Sequence, residues 1–535
     1  MMQTRLKLEG SLRREDAGMP ERGLRQCYAG PGKNSAMQNG LLLAAVDLGS
    51  NSFRLEIGRF DHGRIHRIEY LKETVRQGNG LDADRNLSLA AMQRGWDCLA
   101  RFGERLAGFE KTQVRAVATQ TLREARNREE FLARAQKILG FPIDVISGRE
   151  EARLIYQGVT HLLPQSDERR LVVDIGGRST ELIVGQGLQP LAMESCRVGS
   201  VAWSMRYFPD GQFTVRAFKT AEIAAKAVLD ETVNTYRSAA WDVAYGSSGT
   251  IGAVGEVLTA AGGAPGVVTR EGLDWLLDRL LKAQSADRLR IDGMKEDRRA
   301  VIGGGLGVLR SVFDLLGIEQ MQAAQGALRH GVLYDLVDTD QHLTDLRSTS
   351  VQRLAHNFNT DGVQAERLSS VAQHLFGMAQ TGMPNPESQR SQRKLAWAAQ
   401  LHEIGSQISH SDYHKHGAYI LDNADAPGFA VHELHRLSLL VLGHRGKLRK
   451  LEADFEDRVF VQQLLCLRLA VILCHARRDP DLRGLQLEGA TEPGRRFVLN
   501  CRARWAEAFP QSAHLLREEV LAWQKMPWIL QISGF

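Results

Sequence analysis

Val46-Asp47-Leu48-Gly49-Ser50-Asn51-Ser52 recurs 127 residues later as Val173-Asp174-Ile175-Gly176-Gly177-Arg178-Ser179, and the copies run on to matching glycines, Gly58 and Gly185. Each copy reads as a strand, a tight turn and a second strand, which is a β-hairpin pattern. A repeat of this length points to a duplicated domain, not a solenoid. With Gly177-Arg178 as the two loop residues, the cross-strand pairs are 176/179, 175/180 and 174/181. Asp174 then stands opposite Glu181, with Cβ atoms about 5 Å apart. Carboxylates that close repel unless a cation lies between them, and Mg²⁺ is commonly held by one or two carboxylates plus phosphate oxygens. The same pattern also fits a surface hairpin with two solvated acids. Glycine first in the loop predicts a type II′ turn, which accepts Arg178 second.

Outward from the repeat, residues 41 to about 340 alternate strands with helices. Leu41–Asp47, Phe53–Phe60, Val114–Ala118, Ile143–Ser147, Leu171–Asp174, Thr180–Gly185 and Val243–Tyr245 read as strands. Ala90–Leu106, Arg128–Leu139, Ile251–Ala260 and Gly305–Leu316 read as helices. The class is α/β, in two duplicated domains. After about 345 the strand signals give way to helical ones at Arg353–Met378, Arg393–His402, Ala430–Gly443 and Arg458–Cys474, with one late strand at Phe497–Cys501. The expected segments are a disordered leader at 1–40, α/β domains at 41–160 and 161–342, a helical domain at 343–478 and a small terminal domain at 479–535. Met37, just before the first strand, is a candidate start.

The 535 residues carry a formal charge of +5, which is unevenly spread. Residues 1–40 are net +3, 41–340 net −1 and 341–535 net +3, and twelve of the 16 histidines follow residue 340. This is not the profile of a globally basic nucleic-acid binder. No apolar run is long enough to span a membrane. The six cysteines show no CxxC or CxxxH spacing, so neither a disulfide framework nor a zinc site is indicated. A reducing cytoplasm is the simplest location.

Three further stretches suit phosphate chemistry. Gly246-Ser247-Ser248-Gly249-Thr250 lies between a strand and a helix, where free N–H groups attract anions. An ordinary capped loop would look the same. In Ser147-Gly148-Arg149-Glu150-Glu151, Ser147 and Glu150 fit a capping box, which leaves Glu151 solvated or free to orient a water as general base. Arg123, after Ala118-Thr119, is a phosphate clamp or a surface arginine.

Together these residues resemble the exopolyphosphatase / guanosine pentaphosphate phosphohydrolase family of the actin-like ATPase superfamily. The resemblance covers nearly all of 41–535. Its carriers are Asp47–Ser52, Ala118–Arg123 with Asn127, Ser147–Leu154, Asp174–Glu181, Gly246–Thr250 and Gly326-Ala327-Leu328-Arg329. It implies duplicated actin-like (ribonuclease H-like) domains followed by a mostly helical, HD-like C-terminal domain. It also implies a cleft in which Gly49, Ser50, Asn51 and Ser52, then Gly176, Gly177, Arg178 and Ser179, then Gly246, Ser247, Ser248, Gly249 and Thr250 cradle a terminal phosphate. Asp174 and Glu181 would hold Mg²⁺, Glu151 would take a proton from water, and Arg123 would fix a phosphate oxygen. The family usually has a third glycine where this chain has Arg178; the added cation is expected to leave activity intact.

Local wording favours the exopolyphosphatase branch, which releases orthophosphate from linear polyphosphate. Guanosine pentaphosphate 5′-phosphohydrolysis is the alternative, with guanosine penta- or tetraphosphate as ligand. A non-catalytic polyphosphate or alarmone sensor is the reading from another class, opposed by the presence of Glu151, Asp174 and Glu181. The larger members of the family are typically homodimers. His402-Glu403, His410, His414 and His416 suggest an HD metal site, but Glu403 stands where aspartate is needed, so a scaffold is expected. His444, Arg445, Lys447, Arg449 and Lys450 form the densest basic cluster. It is either a solvated helix end or a track for a long polyanion.

Overall fold

The computed structural model describes residues 40–62, 64–164, 166–337, 342–380, 386–489 and 495–534. The expected leader, with Met37 and Cys27, lies outside the described residues apart from Gly40. The first sheet contains β1 (Leu41–Leu48), β2 (Phe53–Asp61), β3 (Arg64–Glu73), β4 (Val114–Ala118) and β5 (Ile143–Val145), in the order β3-β2-β1-β4-β5. The second contains β6 (Arg169–Ile175), β7 (Thr180–Gln186), β8 (Gln189–Cys196), β9 (Val243–Ser247), β10 (Val267–Thr269) and β11 (Gln320–Ala323), in the order β10-β11-β9-β6-β7-β8. In both, an antiparallel three-strand meander joins a parallel strand through its first member.

The repeat extends to its irregularities. The register shifts between Ile57 and Gly58 in the first meander and between Val184 and Gly185 in the second, the same offset of 127. A Cβ on Gly58 would stand 2.4 Å from Ile65 Cγ2, and one on Gly185 would stand 2.4 Å from Tyr156 Cζ. The closing glycines therefore permit a bulge with a neighbour packed against bare backbone.

Among the strands left unread in the sequence, β3 and β8 share exposure and β10 and β11 share shortness. β3 is mostly exposed or half-buried along its length, and β10 and β11 are only three and four residues long, so neither hydrophobic alternation nor length marks them. The expected helix Arg353–Met378 is two helices, His342–Asn357 and Gly362–Ala379. Asn359 turns left-handed (φ 47°), and Asp361 caps the second helix by accepting from the N–H groups of Val363 and Gln364.

Helix Gly148–Thr160 is buried along nearly its whole length, because it packs against β7 and β8 as well as helix Leu328–Val337. At Gly331 the two helices approach so closely that a Cβ would overlap Leu154 O. The helical part shares one hydrophobic core with a terminal sheet of β12 (Leu485–Glu488), β13 (Arg496–Cys501) and β14 (Ile529–Ser533). The five cysteines of the described residues are unpaired and buried. Among the described residues no helix is long and apolar enough to cross a membrane.

Candidate active site

The expected hairpin register is found: Asp174 pairs with Glu181 and Ile175 with Thr180, and Gly176 N–H donates to Ser179 O at 2.9 Å. The turn type is corrected. Gly177 and Arg178 both lack positive φ, so this is not a II′ turn. Glycine serves close approach instead, since a Cβ on Gly177 would stand 3.2 Å from Ser50 Cβ in the turn of the first hairpin. The two hairpin turns thus meet face to face.

Between them lies a cleft of about 380 Å³ lined by Gly49–Ser52, Gly176, Gly177, Ser179 and Ser248–Thr250, with Asp47, Glu151 and Asp174 among its carboxyls. Gly246 and Ser247, expected in the cradle, are not among its lining. A Cβ on Gly246 would meet Ile251 Cγ2 at 2.5 Å, and the buried Ser247 hydroxyl donates to Gly326 O. The helix begins at Ser248, earlier than expected, with φ 70° at that residue. The hydroxyls of Ser248 and Thr250 both donate to Ile175 O (2.8 and 3.0 Å), tying this loop to the Asp174 strand.

Glu151 is buried on the first turn of its helix, where Ser147 accepts from Glu150 N–H. The capping box is only half formed, because the Glu150 carboxylate turns to Arg153. Burial pushes the Glu151 carboxyl up to about 7 against the attraction of Arg123, with Asp174 and Asp47 adding to the rise. Arg123 is not a cleft-lining residue. Its Nη1 donates to Glu151 Oε2 at 2.7 Å and to Ile146 O at 2.9 Å. Its other nitrogens donate to Gln120 Oε1. It holds Glu151, whereas the resemblance has it fixing a phosphate oxygen.

Burial also raises Asp174, and raises Glu181 well above the carboxylate range, where Glu151 and Asp174 add repulsion. One Glu181 oxygen accepts from Ser195 Oγ at 2.8 Å, while the other is buried with no hydrogen-bond partner. Among the described residues no three His, Cys, Asp or Glu side chains are arranged to chelate a metal alone. This donor set suits a hard divalent ion that takes two carboxylates and completes its shell with water and phosphate oxygens. The orphaned Glu181 oxygen and the mutual repulsion fit that need.

Arg178 is also placed outside the cleft lining. Its Nε and Nη2 donate to Glu124 Oε2 (3.0 and 2.8 Å) and its Nη1 to Gly78 O (3.3 Å), so it bridges the second hairpin to the first α/β domain. The cleft's cations are ones the sequence reading did not assign: Arg54, Lys72, Lys295, Arg298 and Arg329. Arg54 donates to Asp47 at 3.0 Å and occupies the repeat position of Glu181, a correspondence that the offset of 127 contains. Arg298 lies against Gly249, whose missing Cβ would fall 2.6 Å from the guanidinium carbon. Burial lowers the Arg298 pKa. Nothing in the local sequence around Lys295 and Arg298 announces them.

In the helical part, His444 is corrected from a surface track to a core position. It is buried and donates from Nδ1 to Val441 O at 2.6 Å. Arg445, Lys447, Arg449 and Lys450 are exposed, and Arg445 stacks over Tyr413. His402, His414 and His444 cluster edge to face, with ring centroids 5.6 and 6.3 Å apart, and burial holds all three below the usual histidine pKa. Glu403 is engaged by Arg477 at 2.6 Å.

Residues 57–340 match the Ppx/GppA phosphatase family, and residues 346–520 match Ppx/GppA phosphatase, domain III. A guanosine-5'-triphosphate,3'-diphosphate pyrophosphatase of Vibrio cholerae is 38% identical over 494 residues, covering 92% of this chain and 98% of its own. The protein of that description from Aeromonas hydrophila is 37% identical over 500 residues, covering 92% and 99%. An exopolyphosphatase-like protein of known structure is 26% identical with a TM-score of 0.51, covering 57% of this chain and 99% of that one. An exopolyphosphatase from Cytophaga hutchinsonii is 25% identical with a TM-score of 0.50, covering 56% and 98%. The two α/β sheets are accordingly actin-like domains, followed by the helical domain III. Matches that span both the α/β and the helical parts, over a fold whose duplicated hairpins close on one cleft, establish that the chain belongs to the Ppx/GppA phosphatase family, hydrolases of phosphoanhydride bonds.

Proposed function

We propose that this protein hydrolyses the terminal 5′-phosphate of guanosine pentaphosphate. The observation that carries this reading is the extent of likeness to the guanosine-5'-triphosphate,3'-diphosphate pyrophosphatases, 92% of this chain and 98% of theirs. The exopolyphosphatase structures are matched over little more than half of this chain. The order drawn from local wording, with the exopolyphosphatase branch first, is therefore reversed.

In this reading the turns Gly49–Ser52 and Gly176–Ser179 and the loop Ser248–Thr250 receive the terminal phosphate. Arg54, Arg298 and Arg329 balance its charge. Glu151 accepts the proton of the attacking water as the water oxygen bonds to phosphorus and the bridging P–O bond breaks. A carboxyl poised near 7 suits a base working at neutral pH. Arg123 keeps that carboxylate aimed and partly ionised. Asp174 and Glu181 would hold Mg²⁺, which when bound neutralises charge on the phosphoryl oxygens. Positioning and electrostatics carry most of the rate in phosphoryl transfer. A homodimer in the cytoplasm belongs to the same proposal.

Exopolyphosphatase activity is the second reading, supported by the similarity of the α/β part to exopolyphosphatases and by the exposed Arg445–Lys450 segment. The deciding experiment measures phosphate release from guanosine pentaphosphate and from long-chain polyphosphate, with and without Mg²⁺, in wild type and Glu151→Ala. The expected result is a higher kcat/KM on the nucleotide, dependence on Mg²⁺ and loss of activity in the variant. Higher kcat/KM on polyphosphate would select the second reading. Activity in Glu151→Ala equal to wild type would remove the proposed base.

A further inference from the structure

Glu150, the neighbour of Glu151 in sequence, takes no part in the cleft, yet it is fully buried. Its carboxylate accepts from Arg153 Nε and Nη2 at 2.8 Å each and lies 3.7 Å from Arg115 Nη2. Both arginines also reach Asp335, Arg153 at 2.7 Å. Two cations face these two acids, with Asp144 Oδ2 as a third acid 3.7 Å from Arg115 Nε, so removing any one member of the quartet leaves a buried charge without its partner.

One further bond leaves this quartet for the helical part. The backbone N–H of Gly428 donates to Glu150 Oε2 at 2.7 Å, in a buried contact. Gly428 lies in the loop between helices Tyr413–Asn423 and Val431–Gly443. That loop is clamped from its own side: Arg347 Nε donates to Gly428 O at 2.7 Å, and Ser350 Oγ to Pro427 O at 2.8 Å. A second link runs in parallel. Ala430 forms an antiparallel bridge with Ile146, and Ile146 O accepts from the same Arg123 Nη1 that holds Glu151. The loop therefore reaches Glu151 through its helix and Arg123 through the Ile146 carbonyl.

We propose that the loop Ala426–Ala430 of the helical part is a positioning element for Glu151, with Glu150 as the positioning residue that reads the loop. This rests on Glu151 being the base. Glu150 fixes the first turn of helix Gly148–Thr160, while the Ile146 bridge fixes the peptide that orients Arg123. Loss of either contact lets the carboxylate drift from the attacking water, and misplacement by about 1 Å costs up to about 100-fold in rate. The phosphate-receiving turns Gly49–Ser52 and Gly176–Ser179 and the loop Ser248–Thr250 lie on other elements; of the cleft's cations only Arg329 shares a helix with Asp335.

The test uses the full chain and guanosine pentaphosphate, or polyphosphate if that proves the better substrate. Glu150→Gln removes one charge from the quartet and can fail to fold, so Gly428→Ala is the principal variant. Gly428 has φ +89°, and a Cβ there would stand 3.0 Å from Arg347 Cγ, which shifts the loop without touching the α/β part. Gly484→Ala, at φ +80° beside the flexible Arg502 side chain, is the control for strain elsewhere in the C-terminal part. The expected result is a kcat lowered about tenfold or more in Gly428→Ala with KM within about twofold, and faster amide exchange in residues 148–160, while Gly484→Ala matches wild type in both. Wild-type kcat in Gly428→Ala, or equal losses in the two glycine variants, overturns the proposal. Glu151→Gln separates it from the reading it rests on. An inactive Glu151→Gln beside a fully active Gly428→Ala sinks only the positioning role, whereas a fully active Glu151→Gln sinks the base and the positioning together.

Discussion

The ion pair between Arg123 and Glu151 sets the pH at which the proposed base becomes available. Burial raises the Glu151 carboxyl to about 7, and Arg123 opposes that rise from 2.7 Å. Glu151 must be ionised to accept a proton, so kcat/KM rises with pH through its pKa, about 7 without metal and lower beside a bound cation, and levels off above it. Arg123→Gln removes the opposing cation. The side chains of Arg123 and Glu151 are 13% and 10% exposed, so solvent screens the pair little. A hydrogen bond to a charged group is worth about 1.5–3 kcal/mol, and one pKa unit corresponds to about 1.4 kcal/mol. The ascending limb should therefore move up by about one to two units, whereas Arg123→Lys, which keeps a cation, should move it less. The assay is phosphate release at low substrate across the neutral and alkaline range. Mg²⁺ is held constant and saturating, because a bound cation shifts every variant's limb in the same direction. A limb in Arg123→Gln that coincides with the wild-type limb, whatever the loss in rate, would refute the assignment of Arg123 as the partner that tunes Glu151.

Three other outcomes follow from the same geometry. Because the folded-state pKa of Glu151 is raised from 4.5 to about 7, the folded state binds the extra proton between those values and loses stability as pH rises through 7. Without Mg²⁺ at pH 8, Glu151→Gln should then resist thermal unfolding better than wild type, by about 3 kcal/mol for its cooperative unit, and a lower transition temperature counts against the shift. Arg298→Ala should raise KM about tenfold or more, whereas Arg178→Gly should leave KM within about threefold and speed amide exchange at residues 77–80, since Arg178 holds Glu124 and Gly78 and not the cleft; the opposite ranking in steady-state kinetics rejects these placements. Neutralising Arg445, Lys447, Arg449 and Lys450 together should weaken long polyphosphate more than short at low salt, and equal effects on both lengths remove the track.

Much of the site was legible because it is built from local geometry. A period-two pattern around a two-residue turn sets Asp174 against Glu181 without reference to any other part of the chain. The same register, moved by the repeat, sets Asp47 against Arg54, so that pair was readable in principle. Ser147 as a cap and Glu151 as the acid left over are likewise consequences of one helical turn. Arg178 was misread for the opposite reason. The turn shows that an arginine fits there, but its partner Glu124 is 54 residues away in the chain.

By itself, the sequence determined the duplication, the hairpin register, the order of α/β and helical parts, and two of the cleft's acids, Glu151 and Asp174. Each of these is written in spacing, which a chain imposes on itself through strand and helix periods. Only the tertiary structure decided which cations meet those acids, that Arg123 holds Glu151, that His444 is core, and that Gly428 touches Glu150. Apart from the Arg54–Asp47 pair, seven positions apart and contained in the repeat, those contacts join residues from 28 to 278 positions apart or depend on a direction of burial that no local pattern encodes. The position of the proposed base was legible; its aim and its pKa belong to the packed protein.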